Sequence, residues 1–139
     1  MDESERHRRG QSVRKAVLGE AHVARTGRGR TAFNREFQDL LVRYAWGEIW
    51  TRPGLPPDLR RLVTIAFLVA LGRHEELAMH VRAAREGGLS PDLVKEVLLQ
   101  SAVYCGLPAA NAAFRVAEEA LAASAAPRRK RPRKPRARL

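Results

Sequence analysis

Apolar residues in this chain recur at helical spacing, and glycine or proline interrupts them at short intervals, while no stretch of any length alternates apolar and polar residues as a half-buried strand would. This pattern predicts an all-α domain of about six helices. Residues 4–18 read as a polar first helix, and "HVARTGRGRT" (residues 22–31) reads as a Gly- and Arg-rich connection. Thr31 is a good N-cap for a second helix, in which Phe33, Phe37, Leu40, Leu41 and Tyr44 keep the period and which ends near Trp46 and Gly47. "WTRPGLPPDLR" breaks the chain with three prolines and a glycine. Pro56 or Pro57 then opens a third helix, apolar through Leu62, Ile65, Ala66, Leu68 and Val69, that runs to Leu71. Gly72 separates it from a fourth, closed by Gly87 and Gly88. Ser90 caps a fifth, with Pro91 at its first position and Asp92 near the positive end of its dipole. It continues to about Cys105, where "GLP" breaks it before an alanine-rich sixth helix over residues 109–124.

A chain of 139 residues is expected to form one domain, and 45% hydrophobic with 29% charged content suits a globular core. No apolar run approaches the ~18–20 residues that span a bilayer, and the start, "MDESERHRRG", carries no apolar signal segment, so a cytoplasmic protein without membrane association is expected. The one cysteine, Cys105, cannot close an internal disulfide and agrees with a reducing compartment. The formal charge of +11 looks like a nucleic-acid signature until it is located. "PRRKRPRKPRARL" (residues 127–139) holds eight of the 26 basic residues and no acid, which leaves +3 on the remainder. Proline and arginine without apolar periodicity cannot build a core, so the chain divides into a helical domain, residues 1–126, and a disordered basic tail, residues 127–139. Such a tail can touch phosphates nonspecifically, but no aromatic residues interleave with its charges for base stacking. Nucleic acid is therefore not the expected partner.

One stretch stands out chemically. In "LGRHEELAMHVRAA" (residues 71–84), Leu77, Val81 and Ala84 mark an apolar face, and Arg73, Glu76 and His80 fall on or beside it at i, i+3, i+7. Burying such groups unpaired costs several kcal/mol, so the fold either pairs them or uses them. Both readings stand on periodicity alone. His7, His22 and His74 are scattered, and the sequence offers no clear metal-ligand cluster.

"YAWGEIWTRPGLP" (residues 44–56), "ELAMHVRAA" (residues 76–84) and "SAVYCGLPAANAAF" (residues 101–114) together resemble the carboxymuconolactone decarboxylase family, in order and with similar spacing from about Arg6 to Leu121. The wider group, with an alkylhydroperoxidase D-like fold, includes redox members with a CxxCxxxH motif. Here Arg73 and Glu76 occupy the two cysteine positions and His80 the histidine position, so the thiolates that redox chemistry needs are missing.

The resemblance implies a carboxy-lyase without cofactor or metal, converting 4-carboxymuconolactone to 3-oxoadipate enol-lactone and carbon dioxide in protocatechuate catabolism by the β-ketoadipate pathway. It also implies a homo-oligomer built on trimers, often a hexamer. Losing the carboxylate at the γ carbon of the conjugated lactone pushes electrons through the ring double bond onto the carbonyl oxygen, so the substrate supplies its own electron sink. The protein must hold the anions, stabilise the developing oxyanion and protonate the α carbon. Arg73 and Arg61 are the candidates for carboxylate binding, although Arg61 also reads as a surface arginine at a helix start. His80 is the candidate proton donor or oxyanion partner, with Glu76 at i,i+4 to orient its ring and raise its pKa. Trp46 and Trp50 can wall a pocket or simply fill core. Tyr104 can supply a hydroxyl, and Asn111 stands evenly between a catalytic and a structural hydrogen bond. A tail-driven nucleic-acid binder, a noncatalytic helical oligomer and a peroxidase-like member of the same fold are the rival readings.

Overall fold

A computed structural model describes residues 2–124, so the basic tail read from the sequence lies outside the described residues. These form α1 (Glu3–Leu18), α2 (Glu20–Gly27), α3 (Arg35–Leu41) running on into a π-helical segment (Val42–Ile49), α4 (Pro57–Leu71), α5 (His74–Glu86), α6 (Pro91–Cys105) and α7 (Leu107–Ala123). Among the described residues there is no strand, and no helix is long and apolar enough to cross a membrane.

Most helix ends fall where the breakers put them. Gly72 takes the left-handed conformation (φ 68°, ψ 30°), which lets the Arg73 N–H reach back to the Leu68 carbonyl at 2.9 Å and closes α4. The Ser90 hydroxyl accepts the Asp92 N–H, with Pro91 in the first turn of α6. Two places differ. The supposed connection after residue 22 is helical as far as Gly27, because Gly19 (φ 89°) turns the chain between two helices without a loop, giving one helix more than the breakers suggest. Thr31 caps a turn and not a helix: it exchanges hydrogen bonds with Asn34, and α3 begins only at Arg35.

Two apolar clusters organise the helices. The larger joins Ile65 and Val69 of α4, Leu77, Val81 and Ala84 of α5, Val94 and Leu98 of α6, and Ala113, Ala117 and Ala120 of α7. Alanines at i, i+4, i+7 let α7 approach its neighbours closely. The smaller joins Val17 and Leu18 of α1, Val23 of α2, Trp46 of the π segment and Ala83 of α5. Helix α5 therefore has two buried faces, one toward the four-helix bundle and one toward a layer of α1, α2 and the π segment.

That layer is clamped by two glycines. A Cβ on Gly10 would run into the Val42 carbonyl, and one on Gly47 would run into the Arg6 carbonyl, so α1 and the π segment meet backbone to backbone. The approach selects which side of the second predicted helix is buried: Val42 and Trp46 face inward, while Phe33, Phe37, Leu40 and Tyr44, expected as its apolar stripe, stay exposed. Gly10→Ala or Gly47→Ala forces the two backbones apart, and either should lower stability by about 1–3 kcal/mol or more, the usual scale of overpacking. Urea unfolding monitored by circular dichroism measures it.

Candidate active site

Between α5 and the clamped layer lies an open cavity of about 520 Å³. Arg14, Leu18, His22 and Thr26 enter it from α1 and α2 at every fourth residue, a stripe that continues across the Gly19 turn. Leu41, Ala45 and Trp46 come from α3 and the π segment. Glu75, Glu76, Met79, His80 and Arg82 come from α5.

His80 is buried (8% exposed), and its Nδ1 has no hydrogen-bond partner. The Trp50 ring lies nearly parallel to the imidazole, with centroids 6.4 Å apart at 11°, and stacks in turn on Trp46 at 5.1 Å. The π segment sets this geometry: the Trp50 N–H donates to the Ala45 carbonyl, five residues back, and Trp46 and Trp50 fall one above the other. Burial, reinforced by the charges of Arg61 and His22, lowers the His80 pKa from 6.5 to about 4, and Glu76 opposes the shift only weakly. At neutral pH His80 is an uncharged imidazole with one unsatisfied nitrogen. Burial also lowers the pKa of His22, helped by Arg25, Arg14 and Arg82.

The guanidinium of Arg61 is buried (7% exposed), with Nη1 unpartnered, so it is not a surface arginine. It does not line the cavity. Its Nη2 lies 3.0 Å from where a Cβ on Gly87 would stand, which places it against the C-terminal turn of α5, whose carbonyl ends favour a cation.

The structure does not bring all the expected site residues together. Arg73 precedes the first turn of α5 with non-helical backbone (φ −88°, ψ 78°), so helical-wheel geometry does not apply to it; it is exposed and outside the cavity wall. Glu76 reaches the rim as an exposed residue, and the net shift of His80 is downward, against the raised pKa expected from this carboxylate. Tyr104 lies in a separate groove between α4 and α6, beside Cys105, and Asn111 is exposed on α7. His80, Trp46 and Trp50 do converge, with Arg61 near enough to act on His80 by charge. Arg14, His22 and Arg82 were not anticipated. The period-four run Arg14, Leu18, His22, Thr26 is the visible signal for the first two, masked because the Gly- and Arg-rich residues 22–31 read as a connection. Among the described residues, no three or more His, Cys, Asp or Glu side chains group as a metal site.

Residues 35–119 match the profile of the Carboxymuconolactone decarboxylase family. The chain belongs to this family. It is 50% identical over 119 residues to a 4-carboxymuconolactone decarboxylase of Acinetobacter baylyi, covering 86% of this chain and 89% of that one. It is 37% identical over 121 residues to the nitrosuccinic acid decarboxylase npaB of Metarhizium robertsii, covering 84% and 85%. A 4-carboxymuconolactone decarboxylase of Pseudomonas putida, matched over its full 48 residues, is 48% identical and covers 34% of this chain.

The depressed pKa of His80 has a consequence for stability. Unfolded histidine binds its proton near pH 6.5, whereas folded His80 does so only near 4, so stability is full above 6.5 and falls as the pH drops toward 4. The window corresponds to roughly 3 kcal/mol. NMR titration of the imidazole should find a midpoint well below 6, and Arg61→Met, which removes the second of its causes, should raise it. A midpoint near 6.5 in the native protein would contradict the buried, cation-flanked imidazole.

Proposed function

We propose that this chain is a carboxy-lyase that converts 4-carboxymuconolactone to 3-oxoadipate enol-lactone and carbon dioxide, a step of protocatechuate breakdown by the β-ketoadipate pathway. The observation that supports this most directly is the cavity: it collects arginine charge and an uncharged, unsatisfied imidazole, in a chain half identical to a decarboxylase of that name. The names of the two long relatives both describe decarboxylation of dicarboxylic acids.

The chemistry asks for three things. Arginines hold the dianion, with Arg14 and Arg82 on the wall and Arg61 acting from behind His80. The bond to the departing carboxylate breaks, its electron pair enters the ring, and charge accumulates on the carbonyl oxygen. A neutral imidazole N–H donates to that oxygen, and the buried setting beside Trp50 makes the hydrogen bond stronger than in water. Finally the α carbon takes a proton as the carbonyl re-forms. His80 is the proposed catalytic residue, with Trp46 on the cavity wall, Trp50 stacked against the imidazole from outside that wall, and Glu76 a rim carboxylate able to hold water for proton delivery. Arg73, Tyr104 and Asn111 are left out of this assignment, because they do not reach the cavity within one chain.

A second copy of the chain fits the apolar surface that remains. Val63, Phe67, Leu71, Val103, Tyr104 (81% exposed) and Leu107 (74% exposed) are large apolar side chains left exposed on α4, α6 and α7, helices that pack on one another, as a contact surface for a second chain would be. We therefore infer a homo-oligomer, and the catabolic reaction proposed above suits a cytoplasmic setting. Light scattering of the purified chain should report more than one subunit, and a monomer at micromolar concentration would overturn this. A peroxidase-like activity is disfavoured by position: Cys105 lies in the α4–α6 groove, apart from the cavity that holds His80.

The decisive experiment is release of carbon dioxide from 4-carboxymuconolactone by purified protein without added metal or cofactor. His80→Ala should lower kcat by roughly 10²-fold or more, the scale of lost oxyanion or acid–base groups, with folding retained. If that variant melts early yet turns over normally per folded molecule, His80 is scaffold.

A further inference from the structure

Arg14 has no carboxylate to pair with. It forms no ion pair among the described residues, although two acids, Glu75 and Glu76, line the same cavity. Its Nε is buried and without a partner. Its Nη2 donates to the Thr26 hydroxyl at 3.3 Å, and that hydroxyl spends its own proton on the Val23 carbonyl at 3.1 Å. Thr26 can therefore only accept from Arg14, which fixes one arm of the guanidinium, while the enclosed Nε keeps a proton with no acceptor among the described residues. A planar fork held on one side, half-buried and unpaired, is preorganised for one carboxylate. Arg82 on the same wall is exposed and screened by water, and Arg61 does not line the cavity.

We propose that Arg14, oriented by Thr26, selects substrates with two carboxylates by holding the one that stays on the product. This rests on the decarboxylase reading above. The departing carboxylate loses its charge in the transition state, so a guanidinium bound to it would stabilise the ground state more and slow the reaction. The retained carboxylate keeps its charge throughout. Gripping it contributes uniform binding, which lowers KM without raising the barrier, and anchors the ring against His80. Arg14 and Thr26 are thus the specificity end of the cavity, and His80 with Arg61 behind it is the reacting end.

The test uses two ligands that cannot react: the saturated lactone bearing both carboxylates, which lacks the conjugated electron sink, and the same compound with its side-chain carboxylate esterified. Trp46 lines the cavity, so tryptophan fluorescence reports binding. Wild-type protein should prefer the diacid by roughly 10- to 100-fold, the scale of a charge-assisted hydrogen-bond pair. Arg14→Gln should reduce the preference to near unity. Arg14→Lys, which keeps the charge but not the fork, and Thr26→Val, which frees it, should retain part of the preference. With the reactive lactone, the loss in Arg14→Gln should fall on KM and not on kcat. Undiminished preference in Arg14→Gln, equal weakening of both ligands, or a kcat loss at unchanged KM would each overturn the proposal. A diacid preference that depends on Arg14 in a protein releasing no carbon dioxide would support the clamp while refuting the decarboxylase reading. A wild-type protein indifferent to the second carboxylate would refute the clamp whatever its turnover.

Discussion

The contact on which the site depends involves no side chain. Gly10 and Gly47 bring α1 and the π segment together until backbone meets backbone, and the resulting layer has a fixed distance from α5. Arg14, His22, Thr26 and Trp46, on the cavity wall opposite α5, are carried by that layer. The larger core over α4 to α7 supplies the rigid floor, and α5 belongs to both. Placing His80, the proposed catalytic residue, on the element shared by two cores limits how far it can move without disturbing either, as a preorganised site requires.

Electrostatically, the site is a compromise between holding an anion and keeping an imidazole neutral. Burial first, and then the charge of Arg61, disfavours a proton on His80. Arg14 and Arg82 add positive charge on the cavity wall, so the anion-attracting charge and the charge that keeps the imidazole neutral come from different arginines. In the proposed reaction a bound dianion would offset part of the cationic field, so that the imidazole would meet it as a neutral donor and become a better base as the negative charge approaches. The weak opposing pull of Glu76 follows from its position: it is solvated at the rim, where its charge is screened.

The fold was largely legible because local rules agree with global packing. Gly72, Ser90 and Gly106 act where the sequence suggests, and the apolar period of α4 to α7 matches what they bury. The site was legible only in part. His80 was visible because the wheel of α5 is regular from His74 onward, and Arg73 was misplaced because that regularity stops one residue earlier, at the turn after Gly72. Arg14 and His22 were obscured by a glycine-rich run that reads as a loop but folds as helix as far as Gly27. The apolar stripe of Phe33, Phe37 and Leu40 misled for another reason: periodicity reports that a face is apolar, not whether this chain or a neighbour covers it.

The π segment adds a constraint of a different kind. A π turn holds about one residue more than an α turn, so the alignment of Trp46 and Trp50 with His80 depends on the number of residues between Val42 and Ile49 as well as their identity. Removing one between Trp46 and Trp50 changes their spacing from four residues to three and disturbs the stack that sets the indole against the imidazole. A change of length here therefore disturbs the stack, whereas the turn over residues 28–34, where the backbone is exposed, can absorb one. In this chain, then, a change of length close to the cavity is absorbed before Arg35 and disrupts the aromatic stack after Trp46.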